Sequence, residues 1–381
     1  MKLLIVLGTR PEAIKLAPVV LAARAEPGID VTVCNTGQHA DMCHAALATF
    51  GIVPEIDLKI MKPRQGLTEI STAVLKALHP LLAASRPDWL VVQGDTTTAF
   101  AAALAGFYGR VRVAHVEAGL RTGNPEAPWP EEMNRRLIAP IASLHFAPLA
   151  SNAANLRREG IADQDIRVTG NTGIDAIKWL VRRFDEDKGL MRKADARLAS
   201  AGVAPSGPLV LVTGHRRENI GEGFRAVCQA IAELARRFPA RQFIYPVHPN
   251  PAVRDTVQAM LGTGSATNIV LTEPLDYTPF VRLMTRAELI LTDSGGIQEE
   301  APSIGIRVVV LREATERPEA LETGFVRLAG TNAERIVAHA SDALDGRWQP
   351  PAQASDVFGD GHAAHRILEA LATAERRPTS I

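Results

Sequence analysis

The run Leu289-Ile290-Leu291-Thr292-Asp293-Ser294-Gly295-Gly296-Ile297-Gln298-Glu299-Glu300 decides the fold class. Its first four residues read as a buried strand, and the polar turn after them opens a helix. The same unit, an apolar run followed by a turn and an amphipathic segment, recurs at 3–7, 31–35, 89–93, 111–116 and 144–147. It returns at 209–213, 243–247, 269–271 and 308–311. Such βαβα alternation predicts parallel sheets covered by helices on both faces, so the expected class is α/β with two Rossmann-like domains.

The first series predicts a domain over 1–170 and the second a domain over 171–361. Pro and Gly at 204–208 interrupt both periodicities and mark an expected interdomain segment, and the helical stretch 362–376 is long enough to rejoin the first domain. A chain of 381 residues has room for two cores, and 46% apolar with 22% charged residues excludes disordered and fibrous classes. Lys plus Arg and Asp plus Glu both total 42, so no net field recruits nucleic acid or an anionic membrane. Three cysteines, Cys34, Cys43 and Cys228, form no CxxC pair, which fits a reducing compartment. The first apolar run, LLIVLG, is too short for a signal or a membrane span, and a cytoplasmic protein is expected.

Open parallel sheets bind ligands beyond the carboxyl ends of their strands. Those positions here hold Gly8-Thr9-Arg10-Pro11-Glu12, Gly37-Gln38-His39, Gly94-Asp95-Thr96, Glu117-Ala118-Gly119, Gly214-His215-Arg216-Arg217, His248-Pro249-Asn250 and Asp293-Ser294-Gly295-Gly296. All are expected to face one interdomain cleft. Ser294, Gly295 and Gly296 at a helix start suit a phosphate, with a plain glycine turn as the alternative. Neither GxGxxG nor GxxxxGK[ST] occurs, so no dinucleotide fingerprint or P-loop is present and no cofactor is expected. His215, Arg216 and Arg217 could neutralise a departing diphosphate or could be a solvated loop, and His248 could be structural. Asp95, Glu117 and Glu131, beside Arg10, Lys15, Arg121 and Arg135, could divide acid and base roles. For Asp95 an N-cap with Thr98 in the next turn is the alternative. Glu132, adjacent to Glu131 on one helix, is assigned a structural role. No metal is expected, since His39, His44 and His115 lack ligand spacing. Phe280 could stack a base or pack a helix start.

The strings GTRPEAIKLAP, TGQH, GDTTTAFA, HVEAGLRTGN, PWPEEMNRR, TGNTGIDA, TGHRREN, YPVHPNP, LTDSGGIQEEAPS, TERPEAL and GDGHAAHRI run nearly end to end. Together they resemble the non-hydrolysing UDP-N-acetylglucosamine 2-epimerase family. The resemblance implies a GT-B arrangement of two Rossmann-like domains, a homodimer, and UDP and UDP-N-acetylglucosamine as ligands. It implies Arg10, Lys15, Asp95, Glu117, Glu131 and His215 in catalysis. Arg135, Arg217, Phe280, Ser294, Gly295, Gly296 and Glu300 would bind the UDP-sugar. It further implies a second, activating substrate molecule touching Gln38, Asp41, Arg64, Arg216 and His248. Two departures stand out: Gln93 where His is common, and Asp356-Val357-Phe358 where the family usually has Asn-Pro-Tyr. The implied chemistry is elimination of UDP to 2-acetamidoglucal and re-addition to give the C2 epimer. A hydrolysing epimerase, a GT-B glycosyltransferase and a non-enzymatic nucleotide-sugar sensor are the rival readings.

Overall fold

In the computed structural model, which describes residues 1–62, 64–214, 221–262 and 266–375, the apolar runs become the strands of two parallel sheets. The first contains β1 (Lys2–Leu7), β2 (Asp30–Asn35), β3 (Ile56–Asp57), β4 (Trp89–Gln93), β5 (Arg112–Val116), β6 (Leu144–Ala147) and β7 (Ile166–Val168). Its order is β3-β2-β1-β4-β5-β6-β7. The second contains β8 (Leu209–Thr213), β9 (Gln242–Pro246), β10 (Ile269–Thr272), β11 (Ala287–Thr292), β12 (Arg307–Val310) and β13 (Val326–Leu328), in the order β10-β9-β8-β11-β12-β13. The chain divides into two units, Met1–Ala176 with Phe358–Ile381, and Ile177–Val357. Each unit holds one sheet, so the architecture is α/β with two Rossmann-like domains.

The helices of the first unit are α1 (Arg10–Ala25), α2 (Ala40–Thr49), α3 (Leu67–Ser85), α4 (Thr97–Tyr108), α5 (Glu131–Ile138) and α6 (Ala150–Arg158), and α7 (Thr172–Glu186) leads into the second. There follow α8 (Lys188–Ser200), α9 (Glu222–Arg237), α10 (Pro251–Leu261), α11 (Tyr277–Arg286), α12 (Gly295–Ser303), α13 (Pro318–Glu322), α14 (Ala333–Leu344) and α15 (Ala363–Glu375). Central strands are buried on both faces: in β1 the five residues after Lys2 are all buried, which is why they read as one continuous apolar run. In each sheet the connection reverses direction beside its first strand, between β1 and β4 and between β8 and β11. These are topological switch points, where the turns after the strands are free to bind ligands.

The segment 204–208 does not separate domains. It lies inside the second unit and feeds β8, with the Ala204 backbone N–H donating to Gln242 Oε1 at 2.7 Å. The C-terminal segment returns to the first unit, where α15 packs on α1. Asn171 N–H donates to the Phe358 carbonyl at 2.7 Å, and Ala364 N–H to Asp175 Oδ1 at 2.9 Å. Arg366 grips Asp360 through two hydrogen bonds of 2.8 and 2.5 Å. Among the described residues no helix is long and apolar enough to cross a membrane, and all three cysteines are buried and unpaired.

Candidate active site

Asp95 and Glu117, two of the candidate carboxylates of the first unit, are held by basic and amide side chains. At the end of β4, Gly94 turns with φ +69 and the chain passes through Asp95 to the N-cap of α4. That cap is Thr96, whose hydroxyl accepts from Ala99 N–H at 2.9 Å, so the capping alternative for Asp95 does not hold. The Asp95 carboxylate instead accepts from Arg135 Nε at 3.1 Å and from Arg135 Nη2, while Asn134 Nδ2 holds its backbone carbonyl at 2.9 Å. One strand over, Glu117 follows β5 with φ +62. Lys15 Nζ donates to both of its oxygens, at 2.7 and 2.6 Å, and Gln93 Nε2 donates to Oε2. The residue that departs from the family pattern thus binds one of the candidate acids.

Glu131 and Glu132 open α5 and separate cleanly. Glu132 is fully buried and accepts from Thr122 N–H at 3.1 Å, Gly123 N–H at 3.3 Å and Arg135 Nη1 at 3.2 Å. Its neighbour Glu131 is half-buried, and its Oε2 is buried with no hydrogen-bond partner, which a donor on a ligand would satisfy. Arg135 therefore bridges a structural glutamate and Asp95. Arg121, expected beside these acids, commits its guanidinium to Glu159 at 2.8 and 2.7 Å. Arg10 is half-buried in the first turn of α1.

Two buried elements that sequence reasoning did not assign fix this arrangement. Glu12, fully buried, accepts from Gly8 N–H at 3.0 Å, Thr9 N–H at 2.8 Å and Thr96 Oγ1 at 2.6 Å, and its burial raises its pKa. It ties the turn after β1 to the turn after β4. His115 Nε2 bonds the Gly94 carbonyl at 2.7 Å, and burial pushes this imidazole down to about 3. A ring kept neutral and facing a carbonyl carries its proton on Nε2.

In the second unit β11 runs into α12, whose N-cap Ser294 makes no side-chain capping bond. The first-turn N–H groups and the helix dipole are therefore oriented for an anion. The absence of a side chain at Gly295 leaves room for Arg317: a Cβ there would lie 2.9 Å from the guanidinium carbon and would displace it. Arg317, which sequence reasoning missed as a separate candidate, thus lies over the helix start and is held by Glu299 at 2.6 Å and Glu316 at 3.0 Å. The signal available was its place before Pro318 at the start of α13. Glu300 is half-buried beside Gly296, whose added Cβ would lie 3.7 Å from Glu300 Oε1. On α11 Tyr277 is buried while Phe280 stays half-exposed, so of the two aromatics Tyr277 packs the helix start.

Of the residues expected to hold a second ligand, Gln38 is half-buried and its Oε1 accepts from Thr98 Oγ1 at 2.6 Å. Asp41 and Arg64 are exposed, Arg64 with φ +64, and exposed His248 accepts from Asn250 N–H through Nδ1 at 3.2 Å. His215, Arg216 and Arg217 lie outside the described residues. Among the described residues no group of three or more His, Cys, Asp or Glu is placed to hold a metal ion.

Residues 21–372 match the family model described as UDP-N-acetylglucosamine 2-epimerase. The chain is 50% identical over 373 residues to the UDP-N-acetylglucosamine 2-epimerase of Salmonella typhimurium, covering 97% of this chain and 98% of that one. It is similar to the crystal structure of the Neisseria meningitidis UDP-GlcNAc 2-epimerase bound to UDP-GlcNAc, at 42% identity and a TM-score of 0.90, over 98% of this chain and 100% of that one. The Methanocaldococcus jannaschii enzyme in complex with UDP-GlcNAc and UDP is 33% identical with a TM-score of 0.80, over 98% and 100%. With the family model matched over 21–372 and 50% identity to a relative over nearly the whole chain, the chain belongs to the UDP-N-acetylglucosamine 2-epimerase family.

Proposed function

We propose that this protein interconverts UDP-N-acetylglucosamine and UDP-N-acetylmannosamine by elimination and re-addition of UDP, without net hydrolysis. The observation that carries the reading is the pair Asp95 and Glu117, two carboxylates at the ends of adjacent strands, each with its own cation. A transferase that only moves a sugar to an acceptor has no use for both. Carbon 2 of the sugar is not adjacent to a carbonyl, so its proton becomes acidic only as the C1–O bond to UDP breaks and positive charge grows on the ring. Carboxylates stabilise that charge, and one of them takes the C2 proton while the bonding pair forms C1=C2 and UDP departs.

Return of a proton to the opposite face of 2-acetamidoglucal, with UDP re-adding at C1, completes epimerisation. Two faces need two proton-transfer groups, and we assign these to the set Asp95, Glu117 and Glu131. Lys15 and Arg10 accompany them. The helix start at Ser294, Gly295 and Gly296 takes the diphosphate with Arg317, and Glu300 serves the ribose. Phe280 lines the uracil, and Arg135 and Arg217 complete the UDP-sugar contacts. His215 stabilises the leaving diphosphate. The relatives bound to UDP-GlcNAc and to UDP support this ligand class.

Proton NMR of the purified protein with UDP-N-acetylglucosamine in heavy water tests the reading. Deuterium should appear at C2 of both epimers, without cofactor and in the presence of EDTA, while UDP does not accumulate. Epimer that retains its C2 proton excludes elimination, and stoichiometric free N-acetylmannosamine with UDP means hydrolysis instead.

A further inference from the structure

Arg317 and the N-terminus of α12 come from different stretches of chain, and the loop of residues 311–317 that carries Arg317 has no regular secondary structure. Its register against α12 is set by side chains. Gln298, fully buried on α12, donates through Nε2 to the Ser294 carbonyl at 3.2 Å and accepts at Oε1 from Thr315 Oγ1 at 2.6 Å. The Thr315 oxygen in turn accepts Arg317 N–H at 3.1 Å. On the other side of Ser294, its N–H donates to Thr292 Oγ1 at 3.0 Å, and that hydroxyl bonds Thr213 Oγ1 at 2.6 Å. A continuous chain of part-buried hydrogen bonds therefore runs from the end of β8 through the N-cap to the Arg317 backbone.

We infer that Gln298 and Thr315 are positioning residues for diphosphate recognition: they hold Arg317 at one fixed register over the start of α12, so that the guanidinium and the helix N–H groups address the same anion. The inference rests on the proposed reading of this helix start as the diphosphate site. An arginine loses considerable rotamer freedom when it binds, and a backbone fixed beforehand leaves less to be lost. Neither residue need touch the ligand. Glu299, 7% exposed and bonded to Arg317 Nε, fixes the side chain while Thr315 fixes its backbone.

The isosteric Thr315→Val removes the hydroxyl that bonds both the Gln298 oxygen and the Arg317 N–H. UDP affinity by calorimetry should fall about tenfold, the scale of one hydrogen bond, while uridine affinity by NMR titration stays within about twofold. Thr315→Ser should restore UDP binding. In an Arg317→Ala background, Thr315→Val should cost nothing more, because the group it positions is gone. Gln298→Met gives a second, independent route to the same pattern should Thr315→Val fold poorly. Equal losses for UDP and uridine, or additive losses in the double variant, would mean a merely structural role and overturn the inference. Wild-type protein that does not bind UDP overturns the proposed function along with it, whereas UDP binding that is indifferent to Thr315→Val overturns this inference alone.

Discussion

Lowering the pH from 7 to 5 should destabilise the first unit through two histidines that the fold buries as a pair. His115 on β5 and His145 on β6 stand in register on adjacent strands, each about 1% exposed. Burial pushes His115 down to about 3 and His145 down to about 4, from an ordinary value of 6.5. Both rings are thus neutral in the folded chain at pH 5, while both are nearly fully protonated in the unfolded chain. The unfolded state binds more protons, so the stability these rings contribute is whole above pH 6.5 and is lost as the pH falls toward 4 and then 3. Each proton contributes about 1.4 kcal/mol per pH unit, so the pair imposes a slope approaching about 3 kcal/mol per unit near pH 5 and a loss of roughly 3–4 kcal/mol between pH 7 and 5. Against a typical stability of about 5–15 kcal/mol, that is a large share. Urea unfolding at pH 7, 6 and 5 reads it, and His145→Gln should lower the slope by about half of the histidine pair's share, with the carboxylate contribution common to both proteins. Identical slopes in wild type, His145→Gln and His115→Gln would refute the reasoning. The second proton would enter at Nδ1 and leave Nε2–H donating to the Gly94 carbonyl, so the cost is that of charging a buried ring and not of losing this bond.

Asp95→Asn and Glu117→Gln should each lower kcat by at least about 10²-fold while calorimetry finds UDP affinity close to wild type, as expected for groups that act on the sugar ring rather than the nucleotide. Glu131→Gln should behave likewise; an unaffected kcat would remove Glu131 from the proton-transfer set. Glu132→Gln should differ in kind: it withdraws a charge from buried Arg135 and sets an amide N–H against a backbone N–H, costing about 2–3 kcal/mol of stability, seen as a lowered Tm. Glu300→Ala should weaken UDP binding by about 1–3 kcal/mol, and wild-type affinity would place it outside the site. Glu117→Gly should be more stable than Glu117→Ala by about 1 kcal/mol in urea, although both should be inactive.

The central strands were legible because burial on both faces makes them continuous apolar runs, and β4, β6 and β8 fall at the residues the sequence predicts. Strands β3, β7 and β13 were not. Each has two or three residues at or near a sheet edge, paired too briefly for a pattern to register. The segment 204–208 misled because its Pro and Gly mark a solvent-exposed turn into β8, and local composition does not distinguish such a turn from a linker. In the site, residue type and strand-end position were enough to nominate Asp95 and Glu117. The partners were not readable: Lys15 and Glu117 are 102 positions apart, and Arg135 and Asp95 40. Arg317 was hidden for the same reason, since its nearness to Gly295 arises only when α12 and the following loop fold together.

Glu117 shows how the scaffold sets a reactive side chain. The residues on either side of it are pinned to neighbouring strands, Val116 O by Gly94 N–H at 2.9 Å and Ala118 N–H by Phe146 O at 3.0 Å, so residue 117 alone must absorb the turn off β5. Its φ of +62 does so, as Gly94 does at +69 after β4 and Gly119 at +89 two residues on. Where only the backbone matters, the sequence supplies glycine; at 117 it supplies a glutamate and accepts about 1–2 kcal/mol of left-handed strain. The conformation takes the carboxylate out of the strand's alternating pleat to where Lys15 and Gln93 meet it. Removal of the side chain to alanine loses those bonds and keeps the strain, while removal to glycine loses both. The stability difference between the two variants therefore isolates the strain, and a difference of zero would mean that the left-handed turn at 117 costs the fold nothing.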